Sequence, residues 1–141
     1  MRLLKLRIEN INSLAGRYEI DFTNRDYVES GIFAIVGPTG SGKTTILDAV
    51  TLALFGKTPR METRTSTSKK TDRGCMVLTE GRKQCSASVV FESMGKFWRS
   101  RWSVRLKRTG EPRDAQVELV RLPDGSAETG EIVAGEVPHT K

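Results

Sequence analysis

The stretch that decides the fold is Gly37-Pro38-Thr39-Gly40-Ser41-Gly42-Lys43-Thr44, which satisfies the pattern G-x-x-x-x-G-K-[ST] at every position. Its glycines allow the main chain to curl until successive N–H groups point into one concavity. A helix that begins directly after such a loop adds unpaired donors and a partial positive charge. The motif therefore predicts a phosphate-binding loop between a strand and a helix; an ordinary glycine-rich turn is the alternative.

The residues on either side of the loop have the patterns that this arrangement requires. Ile32–Val36 is a continuous apolar run, which predicts a strand buried on both faces. Residues 43–55 predict an amphipathic helix, and Gly56 occupies the position where a left-handed residue ends many helices. The predicted apolar stripe of this helix consists of Ile46, Leu47, Val50, Ala53 and Leu54.

Each residue type in the loop has its own predicted role. Backbone amides from Gly40 to Thr45 are expected to surround the phosphates, while the Lys43 ammonium reaches the β- and γ-phosphates. The Thr44 hydroxyl is the predicted Mg²⁺ ligand, and Thr45 is placed to contact the α-phosphate. The expected ligands are thus ATP and Mg²⁺. The predicted cofactor-binding residues in the loop are Gly37, Pro38, Thr39, Gly40, Ser41, Gly42, Lys43, Thr44 and Thr45.

Alternating patterns elsewhere predict antiparallel strands. Residues 3–8 and 17–22 alternate apolar with polar side chains, and their short connection favours an antiparallel pair. Residues 57–74 lack periodicity and predict a long loop. Further strands are predicted at residues 87–91, 97–107 and 116–122. The chain is therefore predicted to form a single α/β unit over 1–141, with a largely antiparallel sheet beside the phosphate-binding helix.

Composition excludes several classes of protein. With 141 residues, 37% of them hydrophobic, the chain suits one folded domain. No apolar run approaches the roughly 20 residues that span a bilayer, and the alternating N-terminus is unlike a signal peptide, so a cytoplasmic protein without membrane contact is expected. Cys75, Cys85 and His139 are too far apart to predict a zinc site, which favours free thiols.

One predicted strand has a strongly basic face. Across residues 97–107, apolar side chains occupy even positions, and the odd positions include Arg99, Arg101, Arg105 and Lys107. With a net charge of +6, this face could contact the phosphates of double-stranded DNA. The alternative is a solvated face whose charges pair with Glu92 and Glu118 on neighbouring strands.

The chain also resembles a known family over almost its whole length. The resemblance is carried by Asn10-Ile11-Asn12-Ser13-Leu14, by Ile20-Asp21-Phe22, by the run from Gly31 to Ala49, and by Leu54 to Arg60. These segments are similar to the N-terminus of SbcC proteins, the ATPase subunits of a bacterial DNA double-strand-break nuclease. SbcC proteins belong to the SMC-like branch of the ABC ATPases.

The resemblance implies an ATPase head of ABC/SMC type, made of two lobes from the two ends of a longer chain. It implies partnership with an SbcD-type nuclease, with the chain's own C-terminal lobe, and with a second copy that sandwiches ATP, in a nucleoid-associated complex. It further implies that Asn12 and Ser13 approach the nucleotide, although simple turn chemistry would also explain them. Asp48 could orient the site or be a surface carboxylate.

The family's glutamine loop, signature motif and Walker B acidic pair do not occur in this sequence. An N-terminal fragment is therefore expected, which alone binds nucleotide weakly at best and does not hydrolyse it, because in-line attack needs a positioned water and a partner's residues. Three alternatives stay open: another SMC-like ATPase of condensation or recombination, a small nucleotide kinase, and a DNA-binding module with a structural glycine loop.

Overall fold

One antiparallel sheet with a helix packed across one face forms the described part of the chain. The computed structural model describes residues 1–30, 32, 34–59, 61 and 76–135. Within these ranges the sheet has six strands in the order β2-β1-β3-β4-β5-β6. The elements are β1 (Arg2–Ile11), β2 (Leu14–Asp21), α1 (Arg25–Ser30), α2 (Lys43–Phe55), β3 (Gln84–Ser93), β4 (Lys96–Arg105), β5 (Gln116–Leu122) and β6 (Glu131–Gly135). The predicted fold class, a largely antiparallel sheet with one phosphate-binding helix, is confirmed.

The core lies between α2 and the central strands. Alternation in β1, β3 and β4 directs one set of apolar side chains, including Leu6, Val89 and Trp102, toward the helix. The buried Ser100 hydroxyl donates a hydrogen bond of 2.5 Å to the carbonyl of Ala53. This bond fixes the C-terminal end of α2 on β4, so both packing and a hydrogen bond set the position of the helix relative to the sheet.

A β-bulge at Asn10 shapes the end of β1. The register of β1 shifts between Glu9 and Ile11, and Asn10 has a left-handed backbone with φ 50°. Its buried side chain donates to the carbonyl of Gln84 at 3.1 Å and accepts from the amide of Gly16 at 2.8 Å. One amide group therefore joins β1 to β2 and to β3, and it fixes where the β1–β2 turn lies.

The predicted strand over Ile32–Val36 is wrong for the residues that the structure describes there. Residues 34–36 belong to no strand, and Ile32 and Val36 are each 85% exposed, while Phe33 lies outside the described residues. A strand buried on both faces needs hydrogen-bonded neighbours on a covered sheet. The described sheet offers none, because it is antiparallel throughout and its two edges, β2 and β6, do not pair with this segment.

The helix is confirmed, and its predicted apolar stripe is confirmed in part. Ala53 is buried, Ile46 and Val50 are partly buried and pack against the core, but Leu47 is 61% exposed. Apolar residues surround much of the helix, so periodicity alone does not identify the face that meets the sheet. The small side chains of Ala49 and Ala53 allow the closest approach. The buried face is made of Thr45, Asp48, Ala49, Leu52 and Ala53.

The other sequence predictions have mixed outcomes. The antiparallel pair β1–β2 and strands β3 to β5 are confirmed, although β4 ends at Arg105 and Lys107 lies in the turn beyond it. Sequence patterns did not predict α1 or β6. Most of the predicted loop 57–74, together with Cys75 and His139, lies outside the described residues. Cys85 is buried, and no helix in the described ranges is long and apolar enough to cross a membrane.

Candidate nucleotide-binding site

Three positions of the curled loop favour glycine, for two different reasons. Gly40 and Gly42 have φ values of 83° and 94°, in the left-handed region that favours glycine. At Gly37 the limit is space, because a Cβ there would lie 2.7 Å from the Oγ of Ser41. The Ser41 amide closes the curl by donating to the carbonyl of Pro38 at 3.2 Å. The sequence therefore has glycine where the loop geometry requires it.

The Lys43 side chain folds back over the loop that precedes it. Its Nζ donates to the carbonyl of Gly37 at 2.6 Å and to that of Pro38 at 2.7 Å. Both acceptors are neutral, so the ammonium keeps its full positive charge beside the loop. An anionic phosphate can therefore replace these carbonyls as the acceptor, because an ammonium bonds more strongly to a charged oxygen than to a neutral one.

The first turn of α2 leaves donors available for an anion. Gly42 is the N-cap and has no side chain to cap the helix, and the first intrahelical bond runs from the amide of Ile46 to the carbonyl of Gly42 at 3.2 Å. The amides of Lys43, Thr44 and Thr45 precede that bond and have no intrahelical acceptor. No acidic residue stands in this turn of α2, so the positive end of the helix is not neutralised from within.

The two threonines after Lys43 differ in exposure. Thr44 is exposed, which leaves its hydroxyl accessible to a metal ion. Thr45 is 5% exposed and belongs to the buried face of α2. A contact of Thr45 with a phosphate would therefore be made by its backbone amide rather than by its hydroxyl.

The structure brings the β1–β2 turn against the phosphate loop. A Cβ on Gly42 would lie 2.7 Å from Cδ2 of Leu14, so the Leu14 side chain packs directly on the loop. Asn12 donates a long hydrogen bond of 3.5 Å from Nδ2 to Oδ2 of Asp48, and Ser13 is exposed. Asp48 is only 6% exposed, so its alternative interpretation as a surface carboxylate is wrong. The β1–β2 turn therefore meets the loop through Leu14 and meets α2 through Asn12.

On the opposite face of the sheet, the four predicted basic residues fall into two classes. Arg99 donates to Oε1 of Glu118 at 3.0 Å and to the carbonyl of Glu128, and Lys107 pairs with Glu111 at 3.4 Å. For these two, the alternative of a paired, solvated face is confirmed. Glu92, by contrast, pairs with Arg2 of β1 at 3.5 Å and not with β4.

Arg101 and Arg105 are exposed and form no ion pair with any residue in the described ranges. Arg101 borders a groove of about 550 Å³ that runs across β2, β1, β3 and β4. The hydroxyls of Ser86 and Ser88 line it between the charged strands. Sequence reasoning missed Arg17 and these serines, because their place in the groove depends on strand register rather than on any local pattern.

Arg7 pairs with two of the acidic groups on this face, and Arg17 pairs with a third, Glu9, at 3.4 Å. The Arg7 guanidinium bonds to Glu19 at 2.5 Å and to both carboxylate oxygens of Glu128 at 2.6 Å. These hydrogen bonds lower the pKa of Glu128 to about 2 and raise the pKa of Arg7 further above its ordinary value. These carboxylates and that of Glu118 are thus paired with Arg7, Arg17 and Arg99, and Arg101 and Arg105 have no ion-pair partner among the described residues.

Comparison with known proteins agrees with this geometry. A family model described as an AAA domain matches residues 5–132. The chain belongs to this AAA domain family. Within it, the chain is similar to the SbcC subunit of the SbcCD nuclease of Pseudomonas aeruginosa, with 45% identity over 77% of this chain and 10% of the relative. A "Probable DNA double-strand break repair Rad50 ATPase" of Aquifex aeolicus is 34% identical over 84% of this chain and 10% of the relative.

This AAA domain also has a structural relative. The SMC head domain from Thermotoga maritima superposes with a TM-score of 0.52 and 27% identity, covering 95% of this chain and 39% of that one. The chain spans about a tenth of the length of the curated relatives named above. The predicted resemblance to SbcC proteins is confirmed, and so is the N-terminal lobe architecture of an ABC/SMC-type P-loop protein.

Proposed function

We propose that this chain binds Mg²⁺–ATP in its phosphate loop, as the N-terminal lobe of an SMC-like ATPase head. The observation that carries the proposal is the loop itself: left-handed Gly40 and Gly42 lead into an uncapped helix, and the Lys43 ammonium lies over the curl. Thr44 is the proposed Mg²⁺ ligand. Phosphate binding at such a helix start follows from its free amides and its dipole.

The same reasoning extends to a longer protein with a DNA-processing role. Relatives at 45% and 34% identity are named as part of a nuclease and as a DNA repair ATPase. We therefore propose that ATP hydrolysis occurs in a head completed by a C-terminal lobe and a second copy, working with an SbcD-type nuclease. Exposed apolar residues favour such a lobe, because Val36, Leu47 and Phe55 are 85%, 61% and 70% exposed.

Condensation or recombination is the second candidate role. The similarity to an SMC head supports it, because that structural match covers 95% of this chain. The phosphate loop would serve either role in the same way. Sequence outside the present 141 residues discriminates between them: a Cys-x-x-Cys hook within a coiled coil favours the nuclease complex, and a globular hinge favours condensation.

Titration of the isotope-labelled chain with Mg²⁺–ATP, followed by NMR, tests the proposed site. We expect saturable amide shifts at Gly40 to Thr45 and at the Asn12–Ser13 turn, because the phosphates accept from those amides and the turn borders them. Phosphate release by the chain alone should stay at the buffer baseline. Amide shifts spread over the face of the sheet opposite α2, with none in the loop, would contradict the proposal.

We also propose that the face of the sheet opposite α2, here called the outer face, binds the phosphates of double-stranded DNA through Arg101 and Arg105. These two guanidinium groups are exposed and unpaired within the described residues, whereas Arg99 and Lys107 are engaged with carboxylates. Freely solvated arginines gain more from phosphate contact than arginines that must first leave an ion pair. The serine hydroxyls of the groove add further donors.

Charge reversal at both positions tests this interface. The variant Arg101→Glu/Arg105→Glu should weaken DNA binding at least about tenfold at low salt and reduce the slope of log K against log salt by about 2. The control is Arg25→Glu, on α1, where the native charge already pairs with Glu29. Equal losses in the double variant and the control, after allowance for charge number, would show that this face does not bind DNA.

A further inference from the structure

Asp48 combines burial with charge in a way that packing does not explain. It lies on α2, one turn beyond Thr44, and is only 6% exposed. Its neighbours on the buried face of the helix include Ala49 and Leu52, which are apolar. A carboxylate in such surroundings is costly unless hydrogen bonds compensate it, so the groups that meet Asp48 indicate what it does.

One group that meets Asp48 is the side chain of Asn12, at the tip of the β1–β2 turn. Nδ2 of Asn12 lies 3.5 Å from Oδ2 of Asp48. A hydrogen bond of this length tightens readily when a ligand orders the turn. Asn12 also has a left-handed backbone, with φ 48°, which an asparagine tolerates better than most side chains do.

The backbone of Asn12 is fixed from the other side. Its amide donates to the carbonyl of Val77 at 2.7 Å, and its carbonyl accepts from the Thr79 hydroxyl at 2.9 Å. The segment 77–79 thus holds the main chain of the turn, and α2 holds its side chain. Since Leu14 packs on Gly42, movement of this turn would also move the phosphate loop.

We infer that Asp48 is a positioning residue: through Asn12 it holds the Asn12–Ser13 turn at a fixed distance from the phosphate loop. The inference rests on the proposed binding of ATP at that loop. Without the Asp48–Asn12 contact the turn samples other positions. The apparent affinity for nucleotide then equals the intrinsic affinity multiplied by the fraction of molecules in which the site is correctly formed. Asp48 needs no contact with the nucleotide to have this effect.

A double-mutant cycle in the affinity for Mg²⁺–ATP tests the inference. Asp48→Ala and Asn12→Ala should each weaken binding about tenfold, and the double variant should lose clearly less than the sum of the two single losses, because both remove the Asp48–Asn12 contact. Asp48→Leu keeps a similar volume, cannot accept a hydrogen bond, and serves where the alanine variant folds poorly. Thr51→Ala is the control, since it removes a hydrogen bond within α2 and leaves the turn untouched.

Amide hydrogen exchange in the nucleotide-free chain separates positioning from general stability. Ser13 and Gly16 should exchange faster in Asp48→Leu, which cannot accept from Asn12, with the melting temperature close to that of Thr51→Ala. Additive losses of affinity in the cycle, or unchanged exchange at the turn, would overturn the inference. Lys43→Ala keeps the two proposals apart: if it leaves ATP binding intact the proposed function fails, while the exchange measurement still tests the role of Asp48.

Discussion

Lys43→Ala should abolish detectable binding of Mg²⁺–ATP to this chain. Among the described residues, its ammonium is the side-chain cation that lies directly over the curled loop, 2.6 Å from the carbonyl of Gly37. Charge-assisted bonds to phosphate are the strong contacts of such a site, and losing two of them costs about 3 kcal/mol, or about a hundredfold in affinity. The NMR titration should therefore show no saturable shifts at Gly40 to Thr45.

Measuring the free energy of unfolding shows whether Lys43→Ala loses ATP because a contact is missing or because the chain is unfolded. In the nucleotide-free chain the Lys43 ammonium donates to two loop carbonyls, so its removal should lower the free energy of unfolding by about 1–3 kcal/mol, and the titration is made where each variant is folded. Lys96→Ala, at the exposed β3–β4 turn, removes the same charge away from the loop. A Lys43→Ala chain that binds ATP as the Lys96→Ala chain does would refute the proposed site.

The phosphate loop could be predicted from sequence because its chemistry is local. Eight consecutive residues contain the glycines, the lysine and the threonine, and φ values of 83° and 94° at Gly40 and Gly42 are those that glycine favours. The antiparallel strands were predictable for a similar reason. Alternation over a few residues reports a half-buried strand, whatever its neighbours are.

Predictions failed where the answer depended on contacts with distant parts of the chain. The run ending at Val36 is apolar enough for a buried strand, yet no strand of the described sheet pairs with it. In α2, apolar residues lie on more than one face, so burial was decided by the approach of Ala49 and Ala53 to β4 and its neighbours rather than by periodicity. Sequence alone reports that a surface is apolar, not what covers it.

Of the candidate site, the sequence predicted the phosphate loop but not the contact between Asn12 and Asp48. Asn12 and Asp48 are 36 positions apart, and their contact depends on the bulge at Asn10 that sets the β1–β2 turn. Which basic residues of the sheet are paired with carboxylates was unpredictable for the same reason, since Glu128 is 121 positions away from its partner Arg7. Such pairs follow from register and loop path, which no local pattern encodes.

Gly42→Ala should damage both the stability and the nucleotide binding of this chain much more than Gly40→Ala. Both glycines have a positive φ, so alanine at either position costs about 1–2 kcal/mol of backbone strain. Only Gly42 has a close neighbour among the described residues, because an added Cβ would lie 2.7 Å from Cδ2 of Leu14, whereas nothing lies within 4 Å at Gly40. Overpacking adds about 1–3 kcal/mol at Gly42. Chemical denaturation of the two variants measures the difference.

Leu14→Ala identifies the cause of that difference. Truncating Leu14 removes the atoms that an alanine at position 42 would strike, so the double variant should be at least about 1 kcal/mol more stable than the two single losses predict. The loss of stability caused by Leu14→Ala should simply add to the loss caused by Gly40→Ala. If Gly42→Ala and Gly40→Ala destabilise equally, the turn does not press on the loop, and loop and turn are independent. A coupled response would instead mean that Leu14 transmits the position of the β1–β2 turn to the amides that meet the phosphates.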